Sequence, residues 1–318
     1  MSWTVGVIGC GRMGGRHIRA FSQHPSFSLV AAVDPEPERR DRLQRECKIP
    51  RGFLTLEELL SSAAVDVYAL CTPTDLHFPQ ARRILTGSRM PRFLFIEKPV
   101  CLRPTELSQI QRMARKAGVT VAVNHTRRFD PPHRRLAEWI RSGRPGGLLQ
   151  GRCVYYGGWL NNGTHWVDLL RMLFPEEPRI VSARSAGFGR GPDLNLHAEL
   201  RVGEAPVVLE PVEESHYQLF EGEFRFQRGR VRLSDFGKRI ELEEVQTNAR
   251  GERILQPVQE SPWSGMISSL PAAVEAVASA LAGEDSLRRL GADLTDTART
   301  MELVWSAQAM AGLTETMP

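Results

Sequence analysis

The tightest constraint on the fold lies between Val5 and Asp34. The chain reads Val5-Gly6-Val7-Ile8-Gly9-Cys10-Gly11-Arg12-Met13-Gly14, and later Phe27-Ser28-Leu29-Val30-Ala31-Ala32-Val33-Asp34. That is an apolar strand, a G-x-G-x-x-G loop opening a helix, and a second apolar strand ending in an acid. Each part suits a dinucleotide. Gly9 permits the turn out of the strand, Gly11 lets backbone approach a pyrophosphate, and Gly14 lets the helix pack closely on the strand. The helix start, with Arg12 and Met13 in its first turn, aims free N–H groups and a positive dipole end at phosphate. Asp34 ends the second strand, where a carboxylate takes the hydroxyls of the adenosine ribose.

The pattern continues beyond the motif. Apolar strands over Val65–Cys71, Phe93–Ile96 and Val119–Val123 alternate with helices, which predicts a doubly wound parallel sheet of α/β type. Ligands of such sheets bind outside the carboxyl ends of the strands. Gly9, Asp34, Thr72-Pro73, Glu97-Lys98 and Asn124 all fall at those ends. At 318 residues the chain suits two domains. The first is a dinucleotide-binding domain over 1–124, and the second an α+β domain for substrate and oligomerisation over 125–318.

From Arg179 to Val245 strand-like pieces follow one another without long helices, including 195–202, 207–212, 216–222, 223–227, 230–233 and 239–245. This predicts an open, mainly antiparallel sheet covered by helices on one face. Its other face is free for a second copy, giving a homodimer or homotetramer. Helices are expected over 132–142, 164–173, 267–282 and 294–308.

Composition excludes several classes. The +4 formal charge comes from scattered arginines with no basic arm, so no nucleic-acid partner is expected. No apolar run approaches the roughly 20 residues of a membrane span, and no leader precedes the first strand, so neither membrane nor export is expected. Cys10, Cys47, Cys71, Cys101 and Cys153 are widely spaced, without metal-ligand spacing; reduced thiols in a cytoplasm are the expectation, with no metal.

Taken together, Gly9-x-Gly11-x-x-Gly14, Asp34, Thr72-Pro73 with His77, Glu97-Lys98-Pro99, Arg128-Phe129-x-Pro131 and Gly163-x-His165-x-x-Asp168 resemble the Gfo/Idh/MocA oxidoreductases. The resemblance implies a Rossmann domain joined to an open-sheet domain. It implies hydride transfer between nicotinamide and a hydroxyl or keto carbon of a sugar, cyclitol or nucleotide sugar. In that picture Lys98 hydrogen-bonds the reacting hydroxyl, and His165 is the acid/base that moves its proton. His77 borders the cofactor, while Arg128, Asn161, Asn162, Asp168 and Trp159 line the substrate. One departure stands out. Many members carry an aspartate four residues before the histidine, and here that position is Asn161, whose amide cannot take a proton. Asp34 favours NAD over NADP, since its charge repels a 2′-phosphate. Reduction of an imine or non-sugar carbonyl, and a catalytically silent cofactor-binding sensor, remain open alternatives.

Overall fold

The computed structural model describes residues 2–313. The chain divides into two compact units, each described by itself.

The first unit comprises residues up to Phe129 together with Leu270–Ala298. Its elements alternate: β1 (Trp3–Ile8), α1 (Arg12–Gln23), β2 (Phe27–Val33), α2 (Pro37–Cys47), β3 (Arg51–Phe53), α3 (Leu56–Ser62), β4 (Val67–Leu70), α4 (Thr74–Leu85), β5 (Phe93–Glu97), α5 (Pro104–Ala117) and β6 (Thr120–Asn124). The six strands order β3-β2-β1-β4-β5-β6, every pair parallel. Strands covered on both faces read as uninterrupted apolar runs, and β4 and β5 are buried at every position. The helix α3 forms behind a Thr55 cap with Glu58 three residues on. Thr55 Oγ1 accepts from Glu58 N at 3.2 Å, and Glu58 Oε2 accepts from Leu54 N at 2.8 Å.

The sequence suggests one boundary, between residues 124 and 125, but the compact units do not follow a single cut. Leu270, Ala273, Val274 and Val277 are buried in one apolar cluster with Val5, Ile18, Phe21 and Phe27. An alanine-rich stripe permits this close approach, and each buried Val or Leu contributes roughly 1.5–3 kcal/mol.

The second unit holds Asp130–Ser269 and the chain from Arg299 onward. After α6 (Thr126–Phe129), at the end of the first unit, come α7 (Pro131–Arg141), β7 (Leu148–Tyr155), a π-helical turn over Trp159–Gly163 and α8 (Thr164–Leu173). The remaining strands are β8 (Arg179–Arg190), β9 (Asp193–Val202), β10 (Ala205–Pro211), β11 (Glu221–Phe226), β12 (Gly229–Ser234), β13 (Arg239–Thr247), β14 (Arg253–Pro257) and β15 (Trp263–Ser264). The helices α9 (Ser269–Leu281), α10 (Ser286–Leu290) and α11 (Leu294–Met310) close the chain. The nine-stranded sheet is mainly antiparallel, with β10 and β7 paired in parallel. Burial alternates along β10 and β11, so one face packs into the core. The outer face carries cross-strand pairs such as Arg152–Glu210 and Arg230–Glu243.

Two expectations change. The stretch 216–220 is not strand; its end, Phe220, stacks on Trp166 with ring centroids 4.5 Å apart, and pairing starts at Glu221. The strands β14 and β15 follow the last expected strand; they are short, and no position in either is fully buried. Among the described residues no helix is long and apolar enough to cross a membrane.

Candidate active site

In the first unit the glycine loop has the geometry that its spacing calls for. Gly9 has φ +90°, and a Cβ there would lie 2.8 Å from the Cys71 carbonyl oxygen. A Cβ on Gly14 would lie 1.8 Å from the Gly9 carbonyl oxygen, so α1 packs on the loop only with glycine there. Gly11 differs: a Cβ would meet nothing within 4 Å. The loop is therefore sealed against the sheet at Gly9 and Gly14 and open at Gly11, the face a pyrophosphate needs. Arg12 is exposed and Met13 half-buried in the first turn, which holds no acidic side chain. Asp34 is buried, and its Oδ2 accepts from Cys10 N at 2.6 Å while Oδ1 accepts from Glu36 N at 2.9 Å. The acid thus ties the end of β2 to the glycine loop. Burial, with Asp34 beside it, pushes the Cys10 thiol up to about 12, so this cysteine is inert as a nucleophile.

Lys98 follows the last residue of β5 and is half-buried. The residues on either side of it are anchored. Glu97 Oε1 accepts from His17 Nε2 at 2.6 Å and from Asn124 Nδ2 at 2.7 Å, with all three side chains buried. Burial alone would raise the Glu97 carboxyl. The His17 and Asn124 hydrogen bonds and the Lys98 charge outweigh it, holding the group below the ordinary carboxylate range. On the other side, His77 places Nδ1 2.9 Å from the Pro99 carbonyl oxygen and Nε2 2.9 Å from that of Thr72. Burial pushes the His77 ring below its usual pKa, against those two carbonyl oxygens. Thr72 Oγ1 donates to Gln80 Oε1 at 2.7 Å, and Pro73 is the residue before α4.

The second unit presents the other candidates around the π turn. Asp193, at the start of β9, accepts from Leu160 N and Asn161 N, both at 2.8 Å. Asn195 Oδ1 accepts from Gly158 N at 2.9 Å. A Cβ on Gly158, at φ +99°, would lie 2.1 Å from Asp193 Oδ2, so only glycine admits this cap. The amides of Asn161 and Asn162 donate to the carbonyl oxygens of Gly157 and Tyr156, at 3.0 and 2.8 Å. His165 opens the first turn of α8, half-buried, its ring edge-on to Phe220 at 6.1 Å.

Three expected substrate residues have other engagements. Trp159 is fully buried and donates Nε1–H to the Val304 carbonyl oxygen at 2.9 Å, so it has no face to offer a sugar and serves the core. Asp168 is buried and accepts from Thr300 Oγ1 at 2.9 Å. In the first unit Arg128 is buried and donates from Nη1 to the Leu290 carbonyl oxygen at 3.3 Å. Asn124, expected at the cofactor, is fully buried and bonded to Glu97. Sequence reasoning missed His17 and Asp193. A histidine on the buried face of α1, between Gly14 and Phe21, was the available signal for the first. Asp193 lies far along the chain from the loop that it caps and left none.

Residues 3–125 match the family model described as an oxidoreductase family with an NAD-binding Rossmann fold. The uncharacterized oxidoreductase YrbE of Bacillus subtilis is 30% identical over 194 residues, covering 61% of this chain and 51% of that protein. An inositol 2-dehydrogenase of Rhizobium meliloti is 28% identical over 202 residues, covering 58% and 59%. The chain thus spans about half the length of the curated relatives it matches. Among solved structures, the WlbA dehydrogenase from Bordetella pertussis in complex with NADH and UDP-GlcNAcA shares the fold at a TM-score of 0.77, with 20% identity over 98% of this chain and 97% of that one.

Proposed function

We propose that the chain, whose residues 3–125 match the NAD-binding oxidoreductase family model, is a Gfo/Idh/MocA-type oxidoreductase that moves a hydride between a nicotinamide dinucleotide and a hydroxyl or keto carbon of a sugar, cyclitol or nucleotide sugar. The observation that carries this reading is the glycine loop, closed at Gly9 and Gly14 and open at Gly11, in the same unit as a Lys98 whose neighbours Glu97 and Pro99 are anchored. Gly11, Arg12, Met13 and the N-terminus of α1 hold the phosphates, Asp34 the adenosine ribose, and Thr72-Pro73 the segment next to them. Asp34 supports NAD over NADP, because a carboxylate at that point repels a 2′-phosphate. The bound nicotinamide supplies the hydride acceptor or donor.

The remaining chemistry belongs to side chains of this chain. Removing hydride from an alcohol carbon without its proton would leave a high-energy cation, so a base must take the hydroxyl proton. His165 does so at an imidazole nitrogen, a group suited to neutral pH. Lys98 Nζ donates a hydrogen bond to the substrate oxygen and stabilises negative charge as it develops there. Asn161 can only orient a hydroxyl, so proton transfer falls to His165 without a neighbouring carboxylate at that position. Self-association through the outer face of the nine-stranded sheet is part of the proposal.

Incubating the protein with NAD and a panel of cyclitols, sugars and nucleotide sugars, while following absorbance of the reduced cofactor, tests the reading. Lys98→Ala and His165→Ala should each lower kcat by roughly 100- to 10,000-fold, the range for a lost acid/base or charge stabiliser, with NADH affinity kept in His165→Ala. Full turnover in both variants overturns the assignment.

A further inference from the structure

We propose that His17 and Asn124 are positioning residues for Lys98. They act by holding the Glu97 carboxylate and so lock the backbone of Lys98 to α1, the helix that carries the glycine loop. The inference rests on the proposed function for the meaning of Lys98, and on geometry alone for the rest.

The contacts converge on one atom. Glu97 Oε1 takes a hydrogen bond from α1 (His17, 2.6 Å) and another from the end of β6 (Asn124, 2.7 Å). A carboxylate only accepts, so Nε2 of His17 carries the proton in this pair. The His17 ring is itself fixed, packed 5.3 Å from Phe95 on β5 and 6.4 Å from Phe21 on α1. Neither His17 Nδ1 nor Asn124 Oδ1 has a hydrogen-bond partner among the described residues. Two polar atoms left bare inside the protein are a cost, and the arrangement that tolerates it serves Glu97. With Pro99 anchored by His77, the chain immediately before and after Lys98 is held from α1, β6 and α4.

The same arrangement sets the charge around Lys98. A buried carboxylate one residue away favours the ammonium over the amine. The groups that meet Glu97 electrostatically are His17 from α1, the Cys71 thiol after β4, the His77 ring on α4 and Lys98 itself. Lys98 supplies its standing positive charge. Substituting Glu97 by its amide removes the anion with little change of shape. Substituting His17 removes the bond that keeps the acid charged.

The chain has only four lysines, Lys48, Lys98, Lys116 and Lys238, so reductive ¹³C-methylation gives a spectrum in which each can be followed. Lys98→Arg assigns the signal. In Glu97→Gln and in His17→Ala the titration midpoint of Lys98 should fall while the other three stay fixed. NADH affinity should drop by about fivefold or more, with ADP-ribose affinity held within about twofold, because the defect lies at the nicotinamide end. Asn124→Ser, which removes one bond and keeps the charge, should give the same direction with a smaller shift, and serves if His17→Ala does not fold. An unchanged Lys98 midpoint in a Glu97→Gln protein that still binds ADP-ribose overturns the proposal. A wild-type protein that binds neither NADH nor ADP-ribose would instead count against the proposed function. The Lys98 titration would then judge the positioning role alone.

Discussion

The glycine loop of the first unit and the π turn of the second are both short, glycine-bearing segments that present candidate chemistry, yet they are built differently. The loop is assembled from neighbours in sequence and from the ends of adjacent parallel strands: Gly9 against Cys71, Gly14 against Gly9, Asp34 against Cys10. The π turn is shaped by a strand some way along the chain. Asp193 and Asn195 of β9 hold Gly158, Leu160 and Asn161, and Val304 of α11 holds Trp159. A local device leaves its signature in the spacing of residues. A device made by a distant cap leaves nothing to read until the chain is folded.

Breaking the loop should have the larger effect. Gly14→Ala puts a carbon 1.8 Å from a backbone oxygen that has no flexible side chain to yield. The helix must back away from the strand, at about 3 kcal/mol or more, the upper end for overpacking. Gly11→Ala meets nothing, so its stability cost should stay near that of a poorer N-cap, about 1 kcal/mol. Its dinucleotide affinity should nonetheless fall by about tenfold or more, because the added methyl occupies the phosphate face. Urea midpoints with ADP-ribose titrations read both. Equal stability of the two variants would mean that the sealed and open sides of the loop are not distinct.

The second prediction separates the regions. Asp193→Ala strands the N–H groups of Leu160 and Asn161 and should cost roughly 1–2 kcal/mol, the scale of a lost cap. Asp193→Asn keeps one acceptor and should cost less. Faster amide exchange in Asp193→Ala should appear over residues 158–163, while ADP-ribose binding stays as in the wild type. Loss of ADP-ribose binding in that variant would dissolve the distinction between a locally built and a remotely capped site.

What could be read beforehand follows the same division. The ends of five of the six strands of the first unit and the bounds of α8 at Thr164 and Leu173 were legible, because each depends on a run of apolar residues or a periodic pattern close in sequence. The segment 216–220 carries strand-like composition, but Phe220 is drawn onto Trp166, a residue brought near by folding. Trp159 offers the same surface chemistry exposed or buried, and only the Val304 carbonyl oxygen decides the matter. The return of Leu270–Ala298 to the first unit is a choice between two apolar surfaces, which residue types do not specify. His17 lies between these cases, a polar residue on an otherwise apolar helix face whose partner Glu97 was already singled out.

The smallest effect sharpens the picture of the loop's surroundings through pH. The His77 ring faces two carbonyl oxygens, and a neutral imidazole has one N–H to give them. Burial holds its folded pKa below the unfolded value of about 6.5, so as pH falls through 6.5 the unfolded chain gains a proton that the folded chain refuses. Stability is therefore complete above that pH and declines below it, toward the folded value. Glu97 has its pKa depressed as well, so its contribution is present above about pH 4.3 and is lost at lower pH, a separate window. His197, pushed down by partial burial and by Arg184, contributes to the first window, so the wild-type slope alone does not isolate His77. The difference does. Urea midpoints at about pH 7.5, 6 and 5 should fall less steeply in His77→Gln than in the wild type, with the two curves parallel at higher pH, where neither state titrates, and again below the folded value. Parallel curves throughout would mean that the His77 ring takes up its proton in the folded state as readily as in the unfolded chain. The two carbonyl oxygens would then be meeting a cation, with the Thr72 and Pro99 segments held by charge rather than by a neutral ring.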